Sequence, residues 1–172
     1  MIWKLYHNRL PSPKALHTWG IINDPNCPVC NEIATSMHIF FDCQTAKQLF
    51  RQSASVIQQI VQEPLVIDKQ VAIFGFVETQ DIGENERQLA NYLISIIKWA
   101  LWVNAVRSIV RREQPLDCAH FVKNYVNQRL IQEINLNKNL TFWSVNDTLI
   151  INKDEQYSVN EDILNTITNI TN

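Results

Sequence analysis

The chain has 172 residues but only three glycines and six prolines. That scarcity excludes collagen-like, Gly-rich and turn-dense all-β chains. Charge is sparse as well: Asp, Glu, Lys and Arg make up 19 % of the residues against 46 % hydrophobic ones, so most of the chain is too apolar to remain disordered. The start, Met-Ile-Trp-Lys-Leu-Tyr-His-Asn-Arg, offers neither an apolar signal core nor a small-residue cleavage site. The expectation is therefore an intracellular, reducing setting, with nuclear and cytoplasmic residence both open. The most apolar stretch, residues 92–103, is short and carries Lys98 at its middle. It reads as a buried core helix and not as a membrane span. Three Asn-x-Thr sequons, at Asn139, Asn146 and Asn169, are expected by chance among 18 asparagines.

The net charge of −2 argues against a dedicated polyanion binder, yet it hides blocks. Residues 1–60 are net +2, residues 61–86 net −5, residues 87–138 net +5 and residues 139–172 net −4. Two basic sets stand out: Lys4, Arg9 and Lys14, with no acid before Asp24, and Arg107, Arg111 and Arg112 at the end of the long apolar segment. On one face they would neutralise several phosphates of RNA or DNA. The competing reading is an ordinary division of charge among solvated helix faces.

Periodicity indicates a mainly α protein: a small zinc knuckle, a helical bundle and a short β-hairpin near the C-terminus. Apolar spacing predicts helices over 2–10, 14–22 (stopped by Gly20), 45–62 with Thr45 as cap, 85–112, and 118–135 with Asp117 as cap. Residues 65–83 suit strand or short helix. The β-rich run 140–151 reads as a hairpin turning at Asn146-Asp147, and 160–170 as a last short helix. The organisation expected is a zinc-binding module with flanking helices over 1–62, a connector over 63–84, a helical core plus hairpin over 85–155 and a tail over 156–172.

The chemistry concentrates in Cys27-x2-Cys30-x7-His38-x4-Cys43. A Cys-x-x-Cys turn brings two sulfurs together, and three thiolates with one imidazole make a closed tetrahedral Zn²⁺ site with no position for substrate water. The metal is thus expected to be structural, supplying folding energy to a loop with few apolar residues. The alternatives are three buried thiols beside a core histidine, or a redox Cys-x-x-Cys pair. Cys118 and His120, two apart on a helix, point away from each other and do not form a nucleophile pair. His7 and His17 read as packing residues. Trp3, Tyr6, Trp19, Phe40 and Phe41 flank the knuckle, where they cap its core or, as for Trp19, offer a stacking surface to an unpaired base.

The run Leu16-His-Thr-Trp19-Gly20, Cys27-Pro-Val-Cys30, His38-Ile-Phe-Phe41-Asp-Cys43 and Leu49-Phe50, preceded by Leu10-Pro11, resembles the reverse-transcriptase zinc-binding domain of non-LTR (LINE-type) retrotransposons. Residues 85–152, with Lys98-Trp-Ala-Leu-Trp102 and a basic end, are a looser likeness to the tail that follows this motif. The resemblance implies a C-terminal segment of a larger reverse transcriptase, with RNA or DNA and the rest of that polyprotein as partners. The chain has no Asp-Asp pair for a polymerase metal site, and Pro115-Leu-Asp117 fits a nuclease core poorly. Two-metal chemistry needs converging carboxylates, so no catalytic residue is expected. A structural or protein-binding role is the alternative. Oligomeric state is not legible.

Overall fold

The computed structural model describes residues 10–64, 66–77, 82–154 and 156–169. The helix expected over 2–10 falls outside these residues, apart from the buried Leu10. Helix α1 (Pro13–Thr18) starts where its sequence says: Ser12 is extended, its hydroxyl accepts from the Ala15 N–H at 3.4 Å, and Pro13 occupies the first helical position. It ends at Gly20, whose φ of 73° lets the Ile21 N–H reach back to the Leu16 carbonyl at 2.9 Å.

Helix α2 (Gln44–Val61) buries Ala46, Leu49, Phe50, Val56, Ile57, Ile60 and Val61 along one stripe, as the periodicity predicts. Its cap differs from the expectation: Cys43 holds the extended position before the helix, and Thr45 lies inside the first turn. The segment after Pro64 resolves as helix α3 (Lys69–Phe74), with the Asp68 carboxylate accepting from the Val71 N–H at 2.8 Å. Gly75 follows at φ 80°, pressed so closely by Asn91 that a Cβ would lie 2.3 Å from its Oδ1. That closeness lets Asn91 accept from the Phe76 N–H (2.7 Å) and donate to the Phe76 carbonyl (2.9 Å).

Helix α4 (Glu84–Ala105) is the axis of the fold, and a π turn over Val106–Val110 extends it. The span 84–110 is long and apolar enough to cross a membrane by length and composition. Here Leu89, Leu93, Ile94, Ile97, Ala100 and Leu101 are buried against other parts of the chain. Lys98 is buried too, and its Nζ donates to the Ile73 carbonyl at 2.9 Å, at the negative end of α3. Burial pushes its ammonium pKa down.

Helix α5 (Cys118–Leu136) begins on the expected Asp117 cap, which accepts from the His120 N–H at 3.1 Å. It packs on α4 through Val122, Val126 and Leu130, and through Trp99, whose ring meets Phe121 and Tyr125 edge-on at 5.2 and 5.0 Å.

The C-terminal hairpin exists, but not where expected. Residues 140–143 form a short helix, α6 (Leu140–Trp143), followed by a 3₁₀ turn over Val145–Asp147. The strands are β1 (Ile150–Lys153) and β2 (Gln156–Val159), antiparallel, with Ile150 opposite Val159 and Lys153 opposite Gln156. Asn146 and Asp147 do take left-handed backbone, as a turn signal suggests. Tertiary contacts use them otherwise. Leu140 and Trp143, three apart, share a helical face and are buried, Trp143 stands edge-on to Tyr92 at 5.0 Å, and Asn146 Nδ2 donates to the Ile60 carbonyl at 2.8 Å. Helix α7 (Glu161–Thr166) closes the chain with Asn160 as its cap, and it packs on α2 and α5.

Candidate metal centre

Local backbone chemistry brings the four expected ligands together. In the knuckle the Asn31 N–H bonds to the Cys27 carbonyl and the Cys27 N–H to the Glu32 carbonyl, each at 2.8 Å. Asn31 turns the chain at φ 56°, and Asn26 pairs with Ile33 across the loop. The other two ligands lie five residues apart. In an α-helix that spacing turns them about 140° away from each other. The residues His38–Asp42 form a π turn instead, in which the Cys43 N–H reaches the His38 carbonyl at 2.8 Å. Here this wider turn, followed by the extended backbone of Cys43, brings both side chains to one cluster. Thr35 starts it, its hydroxyl accepting from the His38 N–H at 3.0 Å.

The ligating atoms of Cys27, Cys30, His38 and Cys43 all lie within 4.8 Å of one another. Cys43 Sγ is 3.8 Å from both Cys27 Sγ and Cys30 Sγ. That matches the edge of a tetrahedron with Zn–S bonds of about 2.3 Å, about 3.8 Å. All four cysteines of the chain are free thiols. His38 is buried; its Nδ1 faces Glu32 Oε2 at 3.2 Å, while its Nε2 is buried without a hydrogen-bond partner. An orphaned nitrogen on an imidazole clustered with three sulfurs marks that histidine as the fourth donor of a metal site. Glu32 acts one step back, fixing the ring and its tautomer. The sequence shows Glu32, but nothing in its spacing marks that role.

Within the cluster the sulfurs are coupled, and the fourth cysteine lies apart from them. The hydrogen bond with Cys43 pulls Cys27 down to about 6, helped by the N–H groups of Cys30 and Val29, and pushes Cys43 up to about 12. The pair thus gives up one proton readily and then holds the next. The backbone N–H of Gln44, at the positive end of α2, points at Cys30 Sγ at 3.4 Å. Cys118 is buried elsewhere, 3.8 Å from the Ala100 carbonyl, and burial raises its thiol to about 12. It is the inert thiol of the set. His120 is exposed and paired with Asp117 at 2.8 Å, turned away from Cys118.

The knuckle is seated on the bundle. Cys27, His38 and Cys43 share a small cavity with Leu101, Ala105 and Ile109 from the end of α4. Phe40, fully buried, stacks on Trp102 with ring centroids 6.3 Å apart. Phe40 therefore caps the core beneath the site. Trp19 is 61 % exposed.

Of the basic residues singled out by sequence, Lys4 and Arg9 lie outside the described residues. Lys14 is exposed on α1, which packs on the π turn carrying Arg107. Arg107 and Arg111 both face Glu113, at 3.5 and 3.9 Å. Arg112 pairs with Asp24 at 3.1 Å and donates to its carbonyl at 3.2 Å, tying the end of α4 to the knuckle's lead-in. Of the two sets, Lys14 alone is thus brought near Arg107 among the described residues, and acids engage Arg107, Arg111 and Arg112.

Residues 1–50 match a family model described as zinc-binding in reverse transcriptase. No curated protein and no solved structure matches the chain. The matched segment contains all four clustered ligands, so zinc is the metal this site is built for, and Cys27, Cys30, His38 and Cys43 are the residues to hold it. With four protein ligands, zinc there supplies structure and charge neutralisation.

Proposed function

We propose that this chain is the non-catalytic, zinc-stabilised C-terminal segment of a LINE-type retrotransposon reverse transcriptase, and that it holds RNA or DNA for that enzyme. One observation carries the reading: the match to a zinc-binding domain of reverse transcriptases coincides with a cluster of three sulfurs and one imidazole, four donors that would fill a tetrahedral zinc site. A closed site cannot activate water, so the metal's work is to shape a surface. The partner that surface serves in a reverse transcriptase is its template or its product strand.

The test is direct. Freshly reduced, zinc-loaded protein is titrated into labelled single-stranded and hairpin RNA over a range of salt. Binding that weakens linearly in log-log coordinates as salt rises supports the reading. No binding at low salt ends it.

A second reading rests on Trp19, Ile21, Val29 and Ile33, four apolar side chains each more than half exposed on the knuckle and its approach. In this reading the module braces the remainder of the polyprotein through these residues and touches no nucleic acid. Protein that binds no RNA, and whose oligomeric state or solubility changes with Trp19→Ser and Ile33→Ser, supports it.

A further inference from the structure

The arginines at the end of α4 are the obvious candidates for phosphate contact, yet acids engage all three. The free positive charge is elsewhere. Helix α2 and its flanks carry no acid between Asp42 and Glu63. On its exposed side Lys47 and Arg51 stand one turn apart, with no ion pair among the described residues. Gln44, Gln48 and Gln52 follow the same helical spacing beside them.

These residues form a ridge between two hollows. On one side, a groove of about 580 Å³ runs between α2 and the knuckle, lined by Gln44, Gln48 and Gln52 and by Cys30. On the other side, a more apolar hollow of about 340 Å³ is lined by Phe41, Phe50, Ala54, Val66 and Ile67. Lys47 and Arg51 line both. Two carboxylates, Glu32 and Asp42, line the groove as well. Glu32 is turned toward His38, and the apolar hollow has no acid in its lining.

Each part answers one part of an unpaired nucleotide. A cation ridge suits the phosphates, side-chain amides offer donors and acceptors to base edges, and an apolar hollow with a half-buried aromatic accepts a base face. An acidic peptide with an apolar side chain would use the ridge and the apolar hollow, but only a nucleotide strand repeats a charge and a flat base at every unit. We infer that the Lys47–Arg51 ridge of α2, with the amide groove and the apolar hollow on its flanks, is where a single nucleic-acid strand lies. This deepens the proposed function and rests on it.

The experiment compares zinc-loaded wild type, Lys47→Gln/Arg51→Gln and Arg107→Gln/Arg111→Gln by fluorescence anisotropy. The ligands are a labelled single strand of about sixteen nucleotides and an abasic strand of the same length. Zinc stoichiometry and circular dichroism verify the fold of each variant. The ridge variant is expected to bind more weakly, with the log-log salt slope reduced by about 1.4, the value for two single-strand phosphate contacts. The arginine-pair variant is expected to keep most of the wild-type slope. Wild type is expected to bind the abasic strand at least about fivefold more weakly, the effect of about 1 kcal/mol of stacking from one base. An unchanged slope in the ridge variant, with a loss in the arginine pair, overturns the placement and leaves the proposed function standing. Equal binding of abasic and intact strands overturns the base-accepting hollow. Wild type that binds neither strand overturns the proposed function and this inference together.

Discussion

Two regions of this molecule are held together by different physics. Around α2, α4 and α5, cohesion comes from fully buried side chains such as Ile57, Leu93, Ile97 and Leu130, spread over many residues. The knuckle loop over residues 23–33 offers little such burial. Val29 and Ile33 are exposed, and the loop's shape rests on backbone bonds of the turn and on its ligands, while the π turn that follows is anchored on the bundle by Ile39 and Phe40. Loss of one contact in the first region is diluted among neighbours. In the second, loss of one ligand removes the site. The contrast teaches that helical content and metal content are separable observables in this chain.

The largest effect is expected at the ligands. Cys43→Ser should abolish zinc in native mass spectrometry and open the knuckle, because apparent structural-zinc energies run to about 10–16 kcal/mol. The helical signal of α4 and α5 should persist in circular dichroism. Cys118→Ser should retain one zinc, since that thiol lies outside the cluster; zinc loss in this variant would contradict the ligand assignment. Next in size is the converse change. Ile97→Ala, at a fully buried position, should lower stability to urea by about 2–5 kcal/mol through a cavity while zinc stays bound.

Glu32→Gln probes the seam between the two regimes. With the carboxylate on His38 Nδ1 removed, zinc affinity should fall by about 10–100-fold in a chelator competition, with the urea midpoint of the bundle little changed. The smallest effect belongs to Asp117→Ala, which removes the cap of α5 and should cost about 1 kcal/mol. Burial works to raise the Asp117 carboxyl, but its hydrogen bonds with the His120 backbone and ring outweigh that and hold it below 3.8. Its contribution is therefore present above pH 3.8 and is lost as pH falls through the lower folded value. The stability difference between wild type and Asp117→Ala should accordingly vanish at the acid end of a urea–pH series.

Local chemistry made much of this legible in advance. The Cys-x2-Cys and His-x4-Cys spacings pointed to the four ligands without alignment or coordinates, and the density of Leu, Ile and Trp after residue 88 marked the core helix. The π turn was hidden, because a His-x4-Cys spacing excludes a continuous α-helix between the two ligands without specifying the backbone that joins them. The hairpin was misplaced because Asn146-Asp147 carries a genuine turn preference, which the fold spends on a 3₁₀ turn and on the Ile60 carbonyl. The ridge on α2 is invisible in block charges, which average over helix faces. Residues 1–60 sum to +2, while the signal was local: cations one turn apart in a stretch without acids.

Cys43 occupies two roles at one position, donating its sulfur to the cluster and standing as the residue before α2. Four residues on lies Lys47, and eight on lies Arg51, so one covalent rod joins the sulfur to both cations. The bundle sets the direction in which the cations face; a bound metal would act as a dowel that fixes the knuckle against that helix. Without the metal the cations would keep their direction, because the bundle holds their helix, and only the wall opposite them would loosen.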